Sequence, residues 1–377
     1  MMHFYFVNQR AAAAASALKC GATVTMITTK DSHEYDALLS NKRFDLDVVN
    51  DPYDALEVAR SLSARGVKPG SASSVCIGLG DDSSEVASLV NGALSLAGGR
   101  CASYQALENM RDKYRLRTLV AISAPQLTGD CVFAAQEGEV RAFFADHRHG
   151  IVIKPRDQAG SRGVVAVEDL QSLKSVLLGL TYPVLVEERF VGHEYSVESL
   201  TWRKQHTPLV VTAKTTGGET GLVETEQRQP ADIGDDERLA LTRAASTVLD
   251  IAGYEYGLSH IEFIVQEGMP KLVEAHGRVG GDRISDMMLW STGMNGFERL
   301  ARAYIDDFVT APQHTGRGAQ IVFPDLSGYR GNDAQWLREM QHQTGTVEAA
   351  VLLPKNERGP IRCSSDRHAL VLSAFSL

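Results

Sequence analysis

The sequence predicts a mixed fold: an N-terminal doubly wound α/β domain, a central α+β region and a small C-terminal β-rich domain. Three observations predict it. Strand-like and helix-like segments alternate from residue 3 to about residue 105. Two strand-rich blocks, 130–170 and 182–216, are followed by one long helix and a hairpin. Short strand patterns then return beyond residue 311 around a single helix. At 377 residues the chain exceeds one ordinary core, so divisions at 1–105, 106–310 and 311–377 are expected.

The elements follow in order. His3-Phe4-Tyr5-Phe6-Val7 reads as a buried strand. The Ala-rich stretch 10–20 is helical and ends at Gly21, ahead of a strand from Thr23 to Thr28. Strand, helix, strand is a βαβ unit. Val48-Val49, a helix from Asp54 to Arg65 and the strand Ser74 to Gly78 continue the alternation. No G-x-G-x-x-G follows the first strand, which argues against dinucleotide binding there. One helix is expected from Ser103 to about Leu119, one from Asp235 to Ala252 and one from Gly296 to about Phe308. Residues 311–316 read as a linker, followed by strands at 319–323, 346–353 and 369–375 and a helix at 332–342.

Composition excludes several classes. The net charge is -9 and no Lys/Arg block of five occurs, which argues against nucleic acid as a partner. No run of 18 apolar residues predicts a membrane span, and the first 20 residues do not read as a signal peptide. Cys20, Cys76, Cys101, Cys131 and Cys363 are scattered and form no C-x-x-C pair, so a zinc site or disulfide framework is not expected and a cytoplasmic location is. Small-molecule substrates are the expected partners, held by local charges rather than by the overall field.

The richest segment is 262–281. Glu262 and Glu274 lie in two short strand-like runs, and the chain reverses at Glu267-Gly268-Met269-Pro270. If Val265 and Lys271 close the hairpin, the two carboxylates face each other. Opposed like charges require a cation between them. Oxygen ligands with Arg278 four residues on suit Mg²⁺ on nucleotide phosphates. A second motif is Ile151-Val152-Ile153-Lys154-Pro155 and the small-residue loop 158–164, through Gly160, Ser161, Arg162 and Gly163. Such a loop brings backbone N–H groups to phosphate oxygens, and Lys154 supplies a point charge. The alternative is an ordinary hairpin with a solvent-facing lysine. A third is Glu187-Glu188-Arg189-Phe190 through Glu194, where backbone beside an apolar wall suits an adenine edge and a Glu suits ribose hydroxyls. Taken alone, this motif also reads as a surface strand pair with solvated carboxylates.

The order Lys113, Lys154-Pro155, Gly160 to Gly163, Glu187 to Glu194, Glu262, Glu274 and Arg278 resembles the ATP-grasp superfamily of ligases across essentially the whole chain. Glu274-Ala275-His276-Gly277-Arg278-Val279-Gly280-Gly281-Asp282 most resembles the L-amino-acid ligases of the dapdiamide and bacilysin synthetase type. The resemblance implies an ATP-grasp fold of two α+β subdomains, with a lid at about 120–188. It implies ATP and two Mg²⁺ ions, or Mn²⁺, as cofactors. Lys113 and Lys154 would bind the α- and β-phosphates, and the 158–164 loop would close over them. Glu187 and Phe190 would meet adenine mainly through backbone, and Glu194 the ribose. Glu262 and Glu274 would hold metal, with Lys154 and Arg278 as catalytic cations. His276 stands where many family members have Asn, and imidazole is a poorer partner for Mg²⁺ than an amide oxygen. His276, Arg278, Gly281, Asp282 and Glu224 are the candidate substrate contacts, and Arg283 could pair with a substrate carboxylate. Met287, Met288 and Trp290 read as helix packing, and Tyr254 and Tyr256 as structural.

The implied reaction joins a carboxylate, such as an amino acid, to an amine through an acyl phosphate, releasing ADP and phosphate in peptide natural-product biosynthesis. A carboxylase or formyl-transferring ligase of the biotin-carboxylase or purine type is the alternative on the same fold. A nucleotide-binding homologue without catalysis is the second. The resemblance is compatible with a homodimer.

Overall fold

The computed structural model describes every residue except 30–32, 148 and 159. Ala159, within the expected phosphate loop, lies outside the described residues. The N-terminal part contains β1 (His3–Val7), α1 (Ala11–Lys19), β2 (Thr23–Thr28), β3 (Phe44–Val48), α2 (Ala55–Ala64), β4 (Ser74–Ile77) and α3 (Asp81–Leu94). Its strands form one parallel sheet in the order β3-β2-β1-β4. Buried Phe4, Phe6, Val24 and Met26 line one face, while Tyr5, Val7 and Ile27 line the other. Side chains on both faces of a parallel sheet are covered, so its strands read as continuous apolar runs. Asp54 caps α2 by accepting from the N–H groups of Leu56 and Glu57. The turn from β4 to α3 is tight: a Cβ on Gly78 would fall 2.0 Å from the backbone of Ser83. That close approach places Asp81 at the first position of α3.

The helix expected over 103–119 is two helices, α4 (Tyr104–Arg111) and α5 (Lys113–Ser123). Asp112 breaks it with extended backbone and caps α5 by accepting from the N–H of Arg115. Capping outweighs the continuous helical pattern because Asp competes for backbone donors at a helix start.

The segment expected to form a lid contains β5 (Cys131–Ala134), α6 (Glu137–Asp146), β6 (Ile151–Lys154), β7 (Val165–Val167), α7 (Leu170–Leu177) and β8 (Val184–Glu188). Its sheet runs β5-β8-β6-β7 and carries its own core around Ile151, Ile153, Val167 and Leu173. The strand-rich reading of 130–170 therefore holds a helix, α6, that its sequence pattern concealed.

The remaining strands are β9 (His193–Trp202), β10 (Gln205–Gly217), β11 (Val223–Gln229), β12 (Tyr256–Gln266), β13 (Met269–His276), β14 (Arg317–Val322), β15 (Thr346–Val351) and β16 (Ala369–Ser376). The helices among them are α8 (Asp235–Ala252), α9 (Ile284–Thr292), α10 (Gly296–Asp306) and α11 (Asp333–Gln341). All eight strands form one sheet in the order β13-β12-β9-β10-β11-β14-β16-β15. The C-terminal strands thus extend the central sheet. Met287 and Met288 of α9 are buried and Trp290 stacks under Arg317, as packing residues do. Tyr254 is buried, and its hydroxyl donates to the Leu258 carbonyl.

Among the described residues no helix is long and apolar enough to cross a membrane. The five cysteines are all free.

Candidate active site

The β12–β13 hairpin closes one residue away from the expected register: Ile264 pairs with Lys271 and Val265 with Pro270. A bulge between Phe263 and Glu262 inserts Val273 and restores the opposition of Glu262 and Glu274. The bulge also frees the Val273 carbonyl, which accepts from Arg117 Nη2 at 2.6 Å and Lys154 Nζ at 3.4 Å. One irregular residue therefore aligns two carboxylates and anchors two cations.

The sheet registers a polar floor beneath the lid. Glu262 lies opposite Ser196 on β9, and Glu194 lies opposite Lys214 on β10. His260 lies opposite both Glu198 and His276. A cleft of about 600 Å³ opens between this floor and the lid. Lys113, Lys154, Gly160, Ser161, Glu187, Phe190, Glu194, Glu224, Glu262 and Glu274 all line it. The lining residues do not include Arg162, Gly163, His276, Arg278, Gly281 or Asp282.

At one end, buried cations and carboxylates alternate. Lys154 meets Glu187 at 2.5 Å and Arg117 meets the same carboxylate at 3.0 Å. Burial works to raise the Glu187 carboxyl, and Arg117 and Lys154 outweigh it and hold the group below its usual range. The Glu187 side chain is thus committed to charge pairing, and its backbone lies in a strand paired on both sides, with Cys131 and Val152. Lys113 meets Glu274 at 3.0 Å and donates to the Gln158 carbonyl at 2.7 Å. Arg117 was absent from the sequence reading, although its spacing of four from Lys113 places both on one face of α5.

Protein cations also approach the two carboxylates expected to bind metal. Lys214 pairs with Glu262 and, at 3.3 Å, with Glu224. His260 bridges Glu198 at 2.6 Å and Glu262 at 2.7 Å. Burial opposes the charged forms of both Glu262 and His260. Lys214 and His260 nevertheless hold Glu262 at about 2, and Glu198 and Glu262 lift His260 to about 9. His276 makes the matching bridge, from Asp81 at 2.9 Å to Glu274 at 3.0 Å. Both ring nitrogens of His276 are therefore engaged by carboxylates. The signal for His260 was its i, i+2 spacing from Glu262, which puts both on one sheet face.

The donor set fits a hard divalent cation. Oxygens of Glu194, Glu224 and Glu262 lie within 4.8 Å of one another. This trio differs from the expected pair, because Glu274 lies with Lys113 and His276. Burial, reinforced by Glu262 and Glu224 against the pull of Lys214, pushes Glu194 up to about 8, as expected of carboxylates crowded without enough positive charge.

Beyond β13 the chain recrosses the sheet. Arg278 Nε meets Asp81 at 3.0 Å, and Asp282 meets Arg367 at 2.7 Å and accepts from Gln227 at 3.1 Å. Arg367 also meets Glu224 at 2.8 Å and stacks over Phe323. Arg283 is committed to Asp286 and Glu348, so it is held by α9 and β15. No sequence signal pointed to Arg367, which reaches the site from 143 residues beyond Glu224. Gly280 allows the crossing: a Cβ there would fall 2.8 Å from His260 Nδ1 and 3.1 Å from Glu198 Oε2. Gly280→Ala is expected to lose about 1–3 kcal/mol by overpacking, read as a lower denaturant midpoint at unchanged slope.

A family model for the ATP-grasp domain matches residues 147–286, which hold the 158–164 loop, the polar floor and the Glu262–Arg278 segment. The chain carries an ATP-grasp domain. Solved structures agree over the full length. An L-amino acid ligase from Bacillus licheniformis superposes with a TM-score of 0.76 at 17% identity, covering 100% of this chain and 94% of that one. A phosphoribosylglycinamide synthetase from Anaerococcus prevotii gives 0.70 at 12% identity, covering 100% and 94%. An N5-carboxyaminoimidazole synthetase from Staphylococcus aureus complexed with ADP gives 0.73 at 13% identity, covering 99% and 93%. At these identities the likeness establishes the fold. No curated protein matches the sequence.

Proposed function

We propose that the chain is an ATP-dependent carboxylate–amine ligase that forms an amide through an acyl phosphate and releases ADP and phosphate. The observation that carries this reading is the cleft of the ATP-grasp domain, where Lys113, Lys154 and Arg117 stand at one end and Glu194, Glu224 and Glu262 crowd together. The buried cations suit a triphosphate. Glu224 and Glu262, with Glu274, suit Mg²⁺, which when bound neutralises phosphate charge. Phe190 and the backbone of 187–191 would face adenine, Glu194 the ribose, and Gly160 and Ser161 the phosphates.

A carboxylate and a triphosphate repel each other, so the reaction needs fixed positive charge at their meeting point. Lys154 is aimed by Glu187 and the Val273 carbonyl. Arg278 is aimed by Asp81. Closure of the lid would keep the activated acyl group from water. The likeness to the L-amino acid ligase from Bacillus licheniformis supports an amino acid as acyl donor, and the sequence resemblance to the dapdiamide and bacilysin synthetase type supports a role in peptide natural-product biosynthesis.

The carboxyaminoimidazole synthetases share the fold, so a carboxylase is the second reading. Incubation with ATP, Mg²⁺ and paired amino acids, beside parallel arms with bicarbonate and aminoimidazole ribonucleotide, separates the two. ADP, phosphate and a dipeptide mass are expected in the first arm. Turnover confined to the bicarbonate arm would replace this reading with the second.

A further inference from the structure

Between the N-terminal part and the large sheet lies a second, smaller cavity of about 50 Å³, walled by Leu79, Ala87, Leu107, Leu258 and Leu300, with Arg278 at its edge. Its polar walls are already satisfied. Ser84 donates to the Gly78 carbonyl, Ser88 to the Ala102 carbonyl, and Tyr304 to the Arg100 carbonyl. Asn91 exchanges both its hydrogen bonds with the Cys76 backbone. The space is therefore walled by aliphatic side chains and by polar groups largely bonded within the protein, with a guanidinium at one side.

Asp81 stands next to that guanidinium, in a recess sharing Ser84, Leu107 and Gly277 with the cavity. Its Oδ1 receives both Arg278 Nε and His276 Nδ1. Among the described residues Asp81 Oδ2 and Arg278 Nη2 carry no hydrogen bond, and both side chains keep partial exposure. His276 connects this pair to Glu274 at the floor of the ATP cleft. Along the hairpin, the order is nucleotide cleft, Glu262 and Glu274, the two imidazoles, then Arg278 with Asp81 and the apolar cavity.

We propose that Asp81 is a specificity-determining residue, which with Arg278 recognises the head of a 2-amino carboxylate whose small apolar side chain enters the interdomain cavity. A guanidinium suits a carboxylate, and a carboxylate oxygen suits an ammonium. The volume decides the size class: a cavity that takes benzene is about 150 Å³, so this one suits a methyl to isopropyl group and refuses an aromatic ring. The inference rests on the ligase reading for the fate of the bound acid, but the binding site itself does not.

Calorimetry with Mg²⁺ and a non-hydrolysable ATP analogue tests it, using alanine, valine, propionate and phenylalanine as probes. Alanine and valine are expected to bind about tenfold or more tightly than propionate, the value of one charged hydrogen bond, and phenylalanine not at all. Asp81→Asn keeps the shape and is expected to abolish the preference for alanine over propionate. A purely structural defect would weaken both acids alike and leave their ratio intact, and that result overturns the proposal. Ala87→Val narrows the cavity and is expected to exclude valine while keeping alanine; unchanged valine binding counts against the assignment. Equal binding of propionate and alanine by the wild type also overturns it. Asp81-dependent alanine binding without ADP formation would uphold the site and sink the ligase reading. Turnover without this selectivity would do the reverse.

Discussion

Arg278→Ala is expected to fold, to bind ATP and to lose amide-forming turnover by about 10²–10³-fold. Arg278 lies beyond the end of β13 and is not among the residues lining the cleft proposed for ATP, so nucleotide affinity is expected to be unchanged. Its Nε is held by Asp81 and its Nη1 donates to the Val279 carbonyl, which fixes the guanidinium before any substrate arrives. A preorganised cation of this kind acts most where negative charge develops, so its loss lowers kcat in addition to any loss of substrate affinity. Removing it leaves Asp81 paired with His276, and the shared core with the large sheet is untouched. Calorimetry with ATP and single-turnover product assays separate the two effects. Near-normal turnover in this variant would sink the assignment of Arg278.

The second large effect is on stability. Glu187→Ala is expected to destabilise the protein by about 3–5 kcal/mol, because it leaves Lys154 and Arg117 buried without their shared carboxylate. Both cations are almost inaccessible, at 5% and 1% exposure, so water from the neighbouring cleft only partly replaces the lost partner. Glu187 has a lowered pKa when folded. Its contribution is therefore complete above the ordinary glutamate value of 4.5 and is lost as pH falls through the folded value. Urea unfolding of wild type and variant at neutral pH should show the full difference, and the gap should shrink at strongly acidic pH. A gap that persists undiminished in acid contradicts the ion-pair explanation.

The opposition of Glu262 and Glu274 was legible because strand alternation and the Glu267–Pro270 reversal are both local. The bulge was not, since the groups that take up the freed Val273 carbonyl, Arg117 and Lys154, lie far away in the sequence. The helix starting at Asp54 and the long helix between Asp235 and Ala252 were legible from pattern and period. The break at Asp112 was hidden by residues that suit a helix on both sides. Asp81 follows Gly78-Leu79-Gly80 at the carboxyl end of a parallel strand, a place where α/β sheets bind ligands. That signal was available, but its partners His276 and Arg278 lie about 200 residues away and only the fold joins them. Asp282 and Arg283 show the converse. Their charges suggested a zwitterion clamp, yet Arg367 and Glu348 already hold them.

The most direct measurement follows heavy oxygen from a labelled carboxylate through one turnover with ATP, Mg²⁺ and an amine. One labelled oxygen in the released phosphate, together with ADP and the amide, is the predicted result. Label retained in AMP, with pyrophosphate released, would contradict an acyl phosphate and the ligase chemistry proposed for this cleft.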